Sequence, residues 1–184
     1  MTTCKVCRIE FTRTRPLQKV CGLECAVKHS DLLNAKKAVK AIKADRHETK
    51  QKLDAMQTHP QLVKKAQTAF NGFVRARDEG KPCISCGKPL NGPQLGGAFD
   101  CGHYRSVGSA PHMRFVEDNA HGQCKHCNMH LAGNHVAYRL RLIERIGLKR
   151  VEQLESDQTL RKYTREGLIQ LAAEYREMTR RLKK

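Results

Sequence analysis

Apolar residues recur at helical spacing over the segment from position 28 to position 59. Intervals of three or four residues separate Leu32, Ala35, Val39 and Ile42, and neither glycine nor proline occurs between Leu23 and His59. This spacing predicts one long, partly solvated helix of about thirty residues with a thin apolar face. A solvated spacer and a helix that pairs with a partner are both open interpretations.

Two further segments have broader apolar faces. Pro60 suits the first turn of a helix that Thr58 could cap, and Gly80 and Pro82 would end it; its predicted buried face comprises Leu62, Ala66, Ala69, Phe70, Phe73 and Val74. Thr164 is a plausible N-cap for a last helix, whose stripe comprises Leu168, Leu171, Tyr175, Met178 and Leu182. Core packing explains this stripe most simply, and a self-association seam is the alternative.

The segment between these helices has a different composition. Nine of the thirteen glycines, five of the nine cysteines and six of the nine histidines lie between Gly80 and His135. Glycines at this frequency predict turns and short strands, and we expect a hairpin made of Ala98–Tyr104 and Met113–Val116. A helix from Cys127 to Ile146 follows, ended by Gly147. The fold class predicted is α+β and mostly helical, in four segments: 1–27, 28–59, 60–147 and 148–184.

The charge of the chain indicates a polyanionic partner. Lys and Arg number 35 against 18 Asp and Glu, for a formal charge of +17, while aromatic residues make up only 5% and exclude a large aromatic core. Basic proteins gain affinity for nucleic acids by releasing counterions from the phosphate backbone. The long helix could therefore also bind DNA phosphates, through Lys36, Lys37, Lys40 and Lys43. No run of about eighteen apolar residues, the length of a membrane-spanning helix, is present, and neither is a signal-peptide core. We therefore expect no membrane association.

Eight of the nine cysteines have the spacing of zinc ligands. Cys4 and Cys7 precede Cys21 and Cys25, whereas Cys83 and Cys86 precede Cys124 and Cys127. A two-residue gap lets two thiolates bind one tetrahedral ion, so the spacing predicts two structural Cys4 zinc sites, the first within an N-terminal module spanning 1–27. Exchange of partners between the sites stays open, and Cys101 is the spare thiol. Zinc ligands must be reduced thiols, which persist in the reducing cytoplasm, so the cysteines favour a cytoplasmic location.

The stretch FDCGHYRSVGSAPHMRFVEDNAHGQCKHCNMHLAGN, residues 99–134, resembles the ββα-metal finger of HNH endonucleases. The resemblance implies a zinc-stabilised ββα core in which His103 is the general base and Asn119 ties the loop backbone together. It also implies a catalytic Mg2+ or Mn2+ ion held by Asp100 and Asn128, which offer the oxygen ligands that such ions prefer. Phosphates could contact Arg105, Arg114, Lys125 and Arg139, although ordinary surface charge is an equal alternative for these four.

The segments FNGFVRARDEGKPCISCG, DCGHYRSVG, RFVEDNAHGQCKHCN and AGNHVAYR, in this order, resemble the NinG (Rap) recombination proteins of lambda-like phages. This resemblance covers nearly the whole chain. It implies a phage nuclease that cuts branched DNA, such as Holliday junctions, D-loops and forks, in the cytoplasm of the bacterial host. Products with 5′-phosphate and 3′-hydroxyl ends are implied as well. A homodimer and contacts with other phage recombination proteins are further possible partners.

One position departs from the HNH pattern. Gly102 precedes His103, where HNH proteins usually have a metal-binding Asp or His. Side chains alternate along a strand, so Asp100 would face away from His103 unless a bulge at Cys101 and Gly102 turned it back. Tyr104, His126 or another histidine could instead complete the metal site.

The sequence leaves two alternative functions open. One is a non-catalytic, zinc-dependent DNA-binding recombination factor. The other is an RNA-binding zinc protein, which is less favoured because the chain has few aromatic residues.

Overall fold

A computed structural model of the chain describes residues 1–90 and 99–184, which form two compact units, 1–57 and 58–184. Ala98, at the start of the first predicted strand, lies outside the described residues. Across the described ranges, no helix is both long enough and apolar enough to cross a membrane.

The first unit is a short hairpin followed by one long helix. Strand β1 (Thr2–Thr3) pairs antiparallel with β2 (Glu10–Phe11), and α1 spans the 34 residues from Leu23 to Met56. The predicted long helix is confirmed and begins five residues before the predicted boundary at position 28. No residue of α1 is buried, so packing within this unit does not stabilise it.

The second unit is built around two packed helices, α2 (His59–Arg77) and α5 (Arg165–Leu182). Both begin at the predicted caps: the Thr58 backbone N–H donates to the Gln61 side chain (2.7 Å), and the Thr164 hydroxyl accepts from the Gly167 N–H (3.1 Å). Their shared core includes Leu62, Ala66, Phe70, Phe73, Val74, Leu168, Ala172 and Tyr175. Four of the five predicted stripe residues of α5 therefore serve core packing within the same unit as residues 60–147, whereas Leu182 is exposed.

A second core surrounds α3 (His135–Ile146) and α4 (Leu148–Ser156). Tyr138 and Leu142 of α3 are fully buried there against Val151 of α4. The nine-residue helix α4 was not predicted, because only Val151 and Leu154 within it are buried apolar residues.

A two-stranded sheet connects the cores, and its second strand differs from the prediction. Strand β3 (Asp100–His103) pairs antiparallel with β4 (Ala120–Gln123). The prediction of a strand at Met113–Val116 is wrong, since Pro111–Met113 and Glu117–Asn119 form 3₁₀ turns on either side of an irregular stretch. Met113 and Phe115 are apolar because their side chains enter two different cores.

The predicted helix from Cys127 to Ile146 is interrupted. A π-helical turn at His126–His130 comes first, and α3 starts only at His135. Three successive residues between them, Ala132, Gly133 and Asn134, have φ values of 47°, 87° and 45°. Left-handed backbone cannot continue a right-handed helix, so these residues redirect the chain between the two helical segments.

Candidate functional site

The first cysteine cluster can hold a zinc ion. The Sγ atoms of Cys4, Cys7, Cys21 and Cys25 all lie within 4.8 Å of one another, and Cys25 belongs to the first turn of α1. The Cys7–Cys21 and Cys21–Cys25 sulfur distances are 3.5 and 3.7 Å. Four sulfurs at about 2.3 Å from one tetrahedral zinc would be about 3.8 Å apart, so this geometry fits the ion.

The second cluster has the same geometry in the middle of the second unit. The Sγ atoms of Cys83, Cys86, Cys124 and Cys127 lie within 4.8 Å of one another, and those of Cys86 and Cys124 are 3.8 Å apart. Gly87 follows the first cysteine pair with a φ of 72°, and its N–H donates to the Cys83 carbonyl (3.0 Å). Both clusters use the local pairs predicted from the spacing, so exchange of partners between sites is excluded.

Hydrogen bonds prepare the second cluster for a cation. Burial raises the pKa of the Cys83 thiol, but backbone N–H groups, among them that of Cys124, outweigh this effect and lower the pKa to about 7. Burial and the neighbouring sulfurs raise the pKa of Cys127 to about 12. Without an ion, negative charge on one sulfur therefore disfavours ionisation of the next. A divalent ion would allow all four thiols to be deprotonated, because it binds thiolates and compensates their charge.

Asn119 holds the irregular connection between β3 and β4. Its fully buried side chain accepts from the Arg105 N–H (2.8 Å) and donates to the carbonyls of Arg105 (3.0 Å) and Met113 (3.2 Å). One amide thus satisfies three backbone groups, and it fixes the loop that follows His103.

We expect Asn119→Ala to lower the free energy of unfolding by about 2–4 kcal/mol, because it leaves buried backbone groups without partners. Urea denaturation of the zinc-loaded chain measures this loss. Asn128→Ala is the matched control, since Asn128 is only half-buried, and its expected cost is below about 1 kcal/mol. Equal losses in the two variants would contradict the anchoring role of Asn119.

His103 lies at the end of β3 in a defined orientation. Its Nε2 atom is 3.0 Å from the Arg114 carbonyl oxygen, and its ring packs against Phe70 with centroids 5.9 Å apart. Because a carbonyl can only accept, Nε2 carries the hydrogen and the lone pair of the neutral ring is on Nδ1. Burial lowers the pKa of His103 below its ordinary value, which favours the neutral form.

His103 and Asn128 line the same cleft, which has a volume of about 260 Å³. The cleft lies where β3 meets the π-helical turn and the left-handed residues before α3. His135 also lines this cleft, although the sequence analysis did not choose it as a site residue. The turn at 132–134 brings His135 to the cleft. The complete lining is Cys101, His103, Ser106, Val107, Asn128, Ala132, Gly133 and His135.

Asp100 is linked to the cleft by a hydrogen bond from Asn128, and its strand has no bulge. The β3–β4 register is continuous from Asp100 opposite Gln123 to His103 opposite Ala120, so β3 does not have the bulge at Cys101 and Gly102 that would turn Asp100 toward His103. Alternation places Cys101 and His103 on one face. The Asn128 side-chain nitrogen donates to the Asp100 carboxylate (3.1 Å), although Asp100 is not among the residues that line the cleft.

Gly102 is required by close packing. A Cβ atom at this position would lie 2.1 Å from the side-chain oxygen of Gln123 and 2.9 Å from its Cβ. Gln123 is fully buried, and its side-chain nitrogen donates to the Ser85 hydroxyl (2.7 Å) and the Gly133 carbonyl (2.6 Å). The acidic residue that HNH proteins usually have before the histidine therefore cannot be accommodated here.

A buried carboxylate that the sequence did not single out connects α2 to β4. Asp78 is fully buried and accepts hydrogen bonds from Arg77, Lys81 (2.9 Å) and the Gly122 N–H (2.8 Å). Burial would raise the pKa of Asp78, but these bonds and His121 hold it well below its ordinary range. An aspartate directly after the two arginines of the segment RARDEGK is the signal that could have identified it.

Three of the predicted phosphate ligands in this unit pair internally. Arg105 donates to the carbonyls of Leu154 and Asp157, Arg139 forms two bonds with Glu155 (2.6 and 3.0 Å), and Arg114 donates to Gln67 (3.2 Å). Tyr104, considered as a metal ligand, donates to Glu155 (2.5 Å) instead. The fourth predicted ligand, Lys125, is half-buried, whereas Lys36, Lys37, Lys40 and Lys43 are exposed on α1.

The other histidines of this segment have different surroundings. His121 is buried beside Asp78, the His112 ring lies 2.9 Å from the Asp157 carbonyl, and His126 and His130 are exposed. His112 also lines a larger cleft, of about 500 Å³, together with His59, Arg114 and Arg161. This cleft does not include Asp100, Asn128 or any cysteine. The smaller cleft beside His103 is therefore the better candidate for hydrolytic chemistry.

Comparison with known proteins places these features in context. The sequence matches the family described as Bacteriophage Lambda NinG protein over residues 1–184. It is 43% identical over 129 residues to Protein ninG of Salmonella phage P22, and 42% identical over 129 residues to Protein ninG of Escherichia phage lambda. Each alignment covers 70% of this chain and 61% of the relative, which is less than two thirds of the relative's length. No solved structure matches the chain.

Proposed function

Because the chain belongs to the NinG family of lambdoid phages, we propose that it is a metal-dependent, structure-selective DNA endonuclease. Its substrates would be branched recombination intermediates in the infected bacterial cell, namely Holliday junctions, D-loops and forks. The observation that carries this function is the cleft shared by His103 and Asn128, with Asp100 bonded to Asn128 at its margin. The chain would thus combine the NinG resemblance with the chemistry of the HNH ββα-metal finger.

His103 has the protonation state that a general base needs. With Nε2–H donated to the Arg114 carbonyl, the Nδ1 lone pair is the atom that can take a proton from an attacking water. The bond and the Phe70 ring hold the imidazole in place, so the base would be positioned before DNA binds. Asn119 supports this position by fixing the residues that follow the base.

Asp100 and Asn128 are the residues we assign to the catalytic cation. The Asn128 side-chain nitrogen is used in the bond to Asp100, so the Asn128 carbonyl oxygen and the Asp100 carboxylate are available as oxygen ligands. A Mg2+ or Mn2+ ion bound there would stabilise negative charge on the scissile phosphate and on the leaving 3′ oxygen. Two protein ligands suit Mg2+, which usually keeps several water molecules.

The charge distribution supports nucleic acid as the substrate. Even with two zinc ions bound to eight thiolates, the chain would keep a strong excess of positive charge. Arg105 and Arg139 pair internally, so we assign DNA affinity to the exposed lysines of α1 and to the remaining surface. Selectivity for branched DNA would come from its shape and deformability.

The test is cleavage of an end-labelled four-way junction, with a linear duplex of the same sequence as the control. The zinc-loaded chain should cut the junction only when Mg2+ or Mn2+ is added, leaving 5′-phosphate and 3′-hydroxyl ends. Little or no cutting of the linear duplex is expected. Junction cleavage that is equally fast without an added divalent cation would contradict the assignment of Asp100 and Asn128.

One observation favours a second candidate, a zinc-dependent DNA-binding recombination factor without catalysis. Gln123 closes the position before His103 to any acidic side chain, and Asp100 does not line the cleft. Junction binding that is equally tight with and without Mg2+, together with no cleavage of any branched substrate, would decide for this function.

The pKa of His103 predicts the acid limb of the pH–rate profile. Only the neutral imidazole can act as the base, and burial lowers the pKa below the ordinary value of about 6.5. The rate of junction cleavage should therefore fall to half of its maximum at a pH below about 6.5. Single-turnover rates measure this profile, and junction binding at each pH is the control. A limb centred above pH 7 would exclude His103 as the base.

A further inference from the structure

Helix α1 has an apolar stripe that its own unit leaves uncovered. Within the described residues of that unit, the side chains of the stripe are 52–78% exposed; its large members are Leu32, Val39, Ile42, Leu53 and Met56. A helix of 34 residues without one buried side chain lacks the tertiary packing that stabilises most helices. An exposed apolar stripe of this kind indicates an interaction surface.

The stripe repeats every seven residues. Assigning Leu32 to position a of a heptad places Val39, Arg46 and Leu53 at the other a positions. The d positions are then Ala35, Ile42, Thr49 and Met56. We call these eight residues the α1 seam. A seven-residue repeat keeps such a seam facing a second helix, which is the pattern of a left-handed coiled coil.

We propose that a second copy of this chain covers the α1 seam, and that the two α1 helices form a parallel coiled coil. The charged residues beside the seam identify the occupant. Asp31 and Asp45 are at g positions, whereas Lys36 and Lys50 are at e positions five residues further along. In a parallel pair, g faces the partner's next e, so Asp31 meets the partner's Lys36 and Asp45 meets the partner's Lys50.

Symmetry doubles these pairs to four, and none of the four charged residues has an ion-pair partner within the described part of the chain. The other two facing pairs, Ala38 with Lys43 and Lys52 with Gln57, contain no repulsion. A parallel homodimer therefore satisfies every acidic residue beside the seam.

The antiparallel arrangement is less favourable. It places g opposite g and e opposite e, and with Leu32 level with Met56 it pairs Asp31 with the partner's Lys52. The same alignment puts Lys43 beside the partner's Lys50, which is repulsive in both copies. Charge complementarity thus selects both the partner, which is an identical helix, and its direction.

A polar layer interrupts the seam at Arg46 and Thr49. Polar residues at such positions reduce stability but fix the register of a coiled coil. In the parallel pair the two Arg46 side chains share one layer, and each lies beside the partner's Asp45, whose charge offsets part of the repulsion between them. The seam from Leu32 to Met56 is about 38 Å long at 1.5 Å per residue, which is enough for more than three heptads.

Sedimentation equilibrium of the full zinc-loaded chain over a concentration series tests the dimer. The expected mass is twice the 20.9 kDa of one chain. The double variant Val39→Asp, Ile42→Asp should raise the dimer dissociation constant by two orders of magnitude or more, because it places charges in the seam. Its matched control is Ala41→Asp, Ala44→Asp, which adds the same charges to exposed positions outside the seam and should sediment like the parent.

A monomeric parent chain, or equal weakening by the two double variants, would overturn the dimer. Circular dichroism of each variant shows whether α1 is still helical when the chain is concentrated. Neither measurement involves DNA, so the coiled coil and the proposed nuclease activity can fail independently of each other.

The direction of the helices is tested by carbodiimide cross-linking, which joins a carboxylate to a nearby lysine. A dimer mixed from ¹⁴N-labelled and ¹⁵N-labelled chains distinguishes links between copies from links within one copy. Linked peptides with one light and one heavy half should join Asp31 to Lys36 and Asp45 to Lys50. Mixed-label links from Asp31 to Lys52 would instead show an antiparallel pair and overturn the parallel assignment.

Discussion

Replacing His103 with alanine is expected to slow Mg2+-dependent junction cleavage by about 10²–10⁴-fold, because the water would lose its general base. Cys101 also lines the cleft but is a poor substitute, because burial raises the pKa of its thiol to about 12. Single-turnover rates on a labelled four-way junction measure the loss. Junction affinity and zinc content should not change, since His103 is neither a zinc ligand nor an exposed basic residue.

The control for this variant is His47→Ala, which removes an exposed imidazole from α1 and should cleave at the parent rate. A His135→Ala variant separates the two histidines of the cleft. A smaller loss is expected, because His135 is neither the base nor a metal ligand in the proposed chemistry. Parent-like cleavage by His103→Ala in a preparation free of other nucleases would remove this residue from the reaction.

Removing one thiolate from the second cluster should have the largest effect on stability. Structural zinc sites contribute apparent binding free energies of about 10–16 kcal/mol, comparable to or above the 5–15 kcal/mol that stabilise a typical domain. We expect Cys83→Ala to leave one zinc ion per chain and to unfold residues around the cleft. Elemental analysis gives the zinc content, and limited proteolysis reports unfolding of the second unit.

Cys101→Ala is the matched control for Cys83→Ala. Cys101 is a half-buried free thiol outside both clusters, so this variant should retain two zinc ions and should resist proteolysis like the parent. If Cys83→Ala kept two zinc ions, or Cys101→Ala lost one, the assignment of four ligands to each site would be incorrect.

The helices and metal clusters could be predicted because their signals are local. Thr58 and Thr164 mark helix starts through their own hydrogen bonds, and the apolar spacing of α2 and α5 reflects the face that packs. The cysteine pairs are equally local, since two or three residues between thiols are enough to define half of a tetrahedral site.

The strands and the cleft depended on contacts between distant residues. Strand β4 has the sequence AHGQ, which contains no β-branched or aromatic residue, and its four residues are buried by packing against other elements. Met113 and Phe115 led to the prediction of a strand because they are apolar, yet they pack in two different cores, Met113 from a 3₁₀ turn and Phe115 from the irregular stretch after it. Propensity could not distinguish these cases.

The roles of the arginines could not be predicted from their charge either. Sequence gives the sign of Arg105 and Arg139 but not their partners, and both are used to hold α4 and the residues that follow it. The lysines of α1 could be judged more directly, because the large apolar residues of this helix form only a thin stripe and leave the rest of its surface in solvent.

The contact between Gly102 and Gln123 couples two positions that are 21 residues apart in sequence. A side chain at position 102 requires a shorter residue at position 123, and that residue must also release Ser85 and the Gly133 carbonyl from their present bonds. Within the family, these two positions should therefore covary: a glycine should accompany glutamine, and an acidic residue should accompany alanine or serine. An attempt to install an acidic residue before the histidine by directed evolution should succeed only when both codons change together.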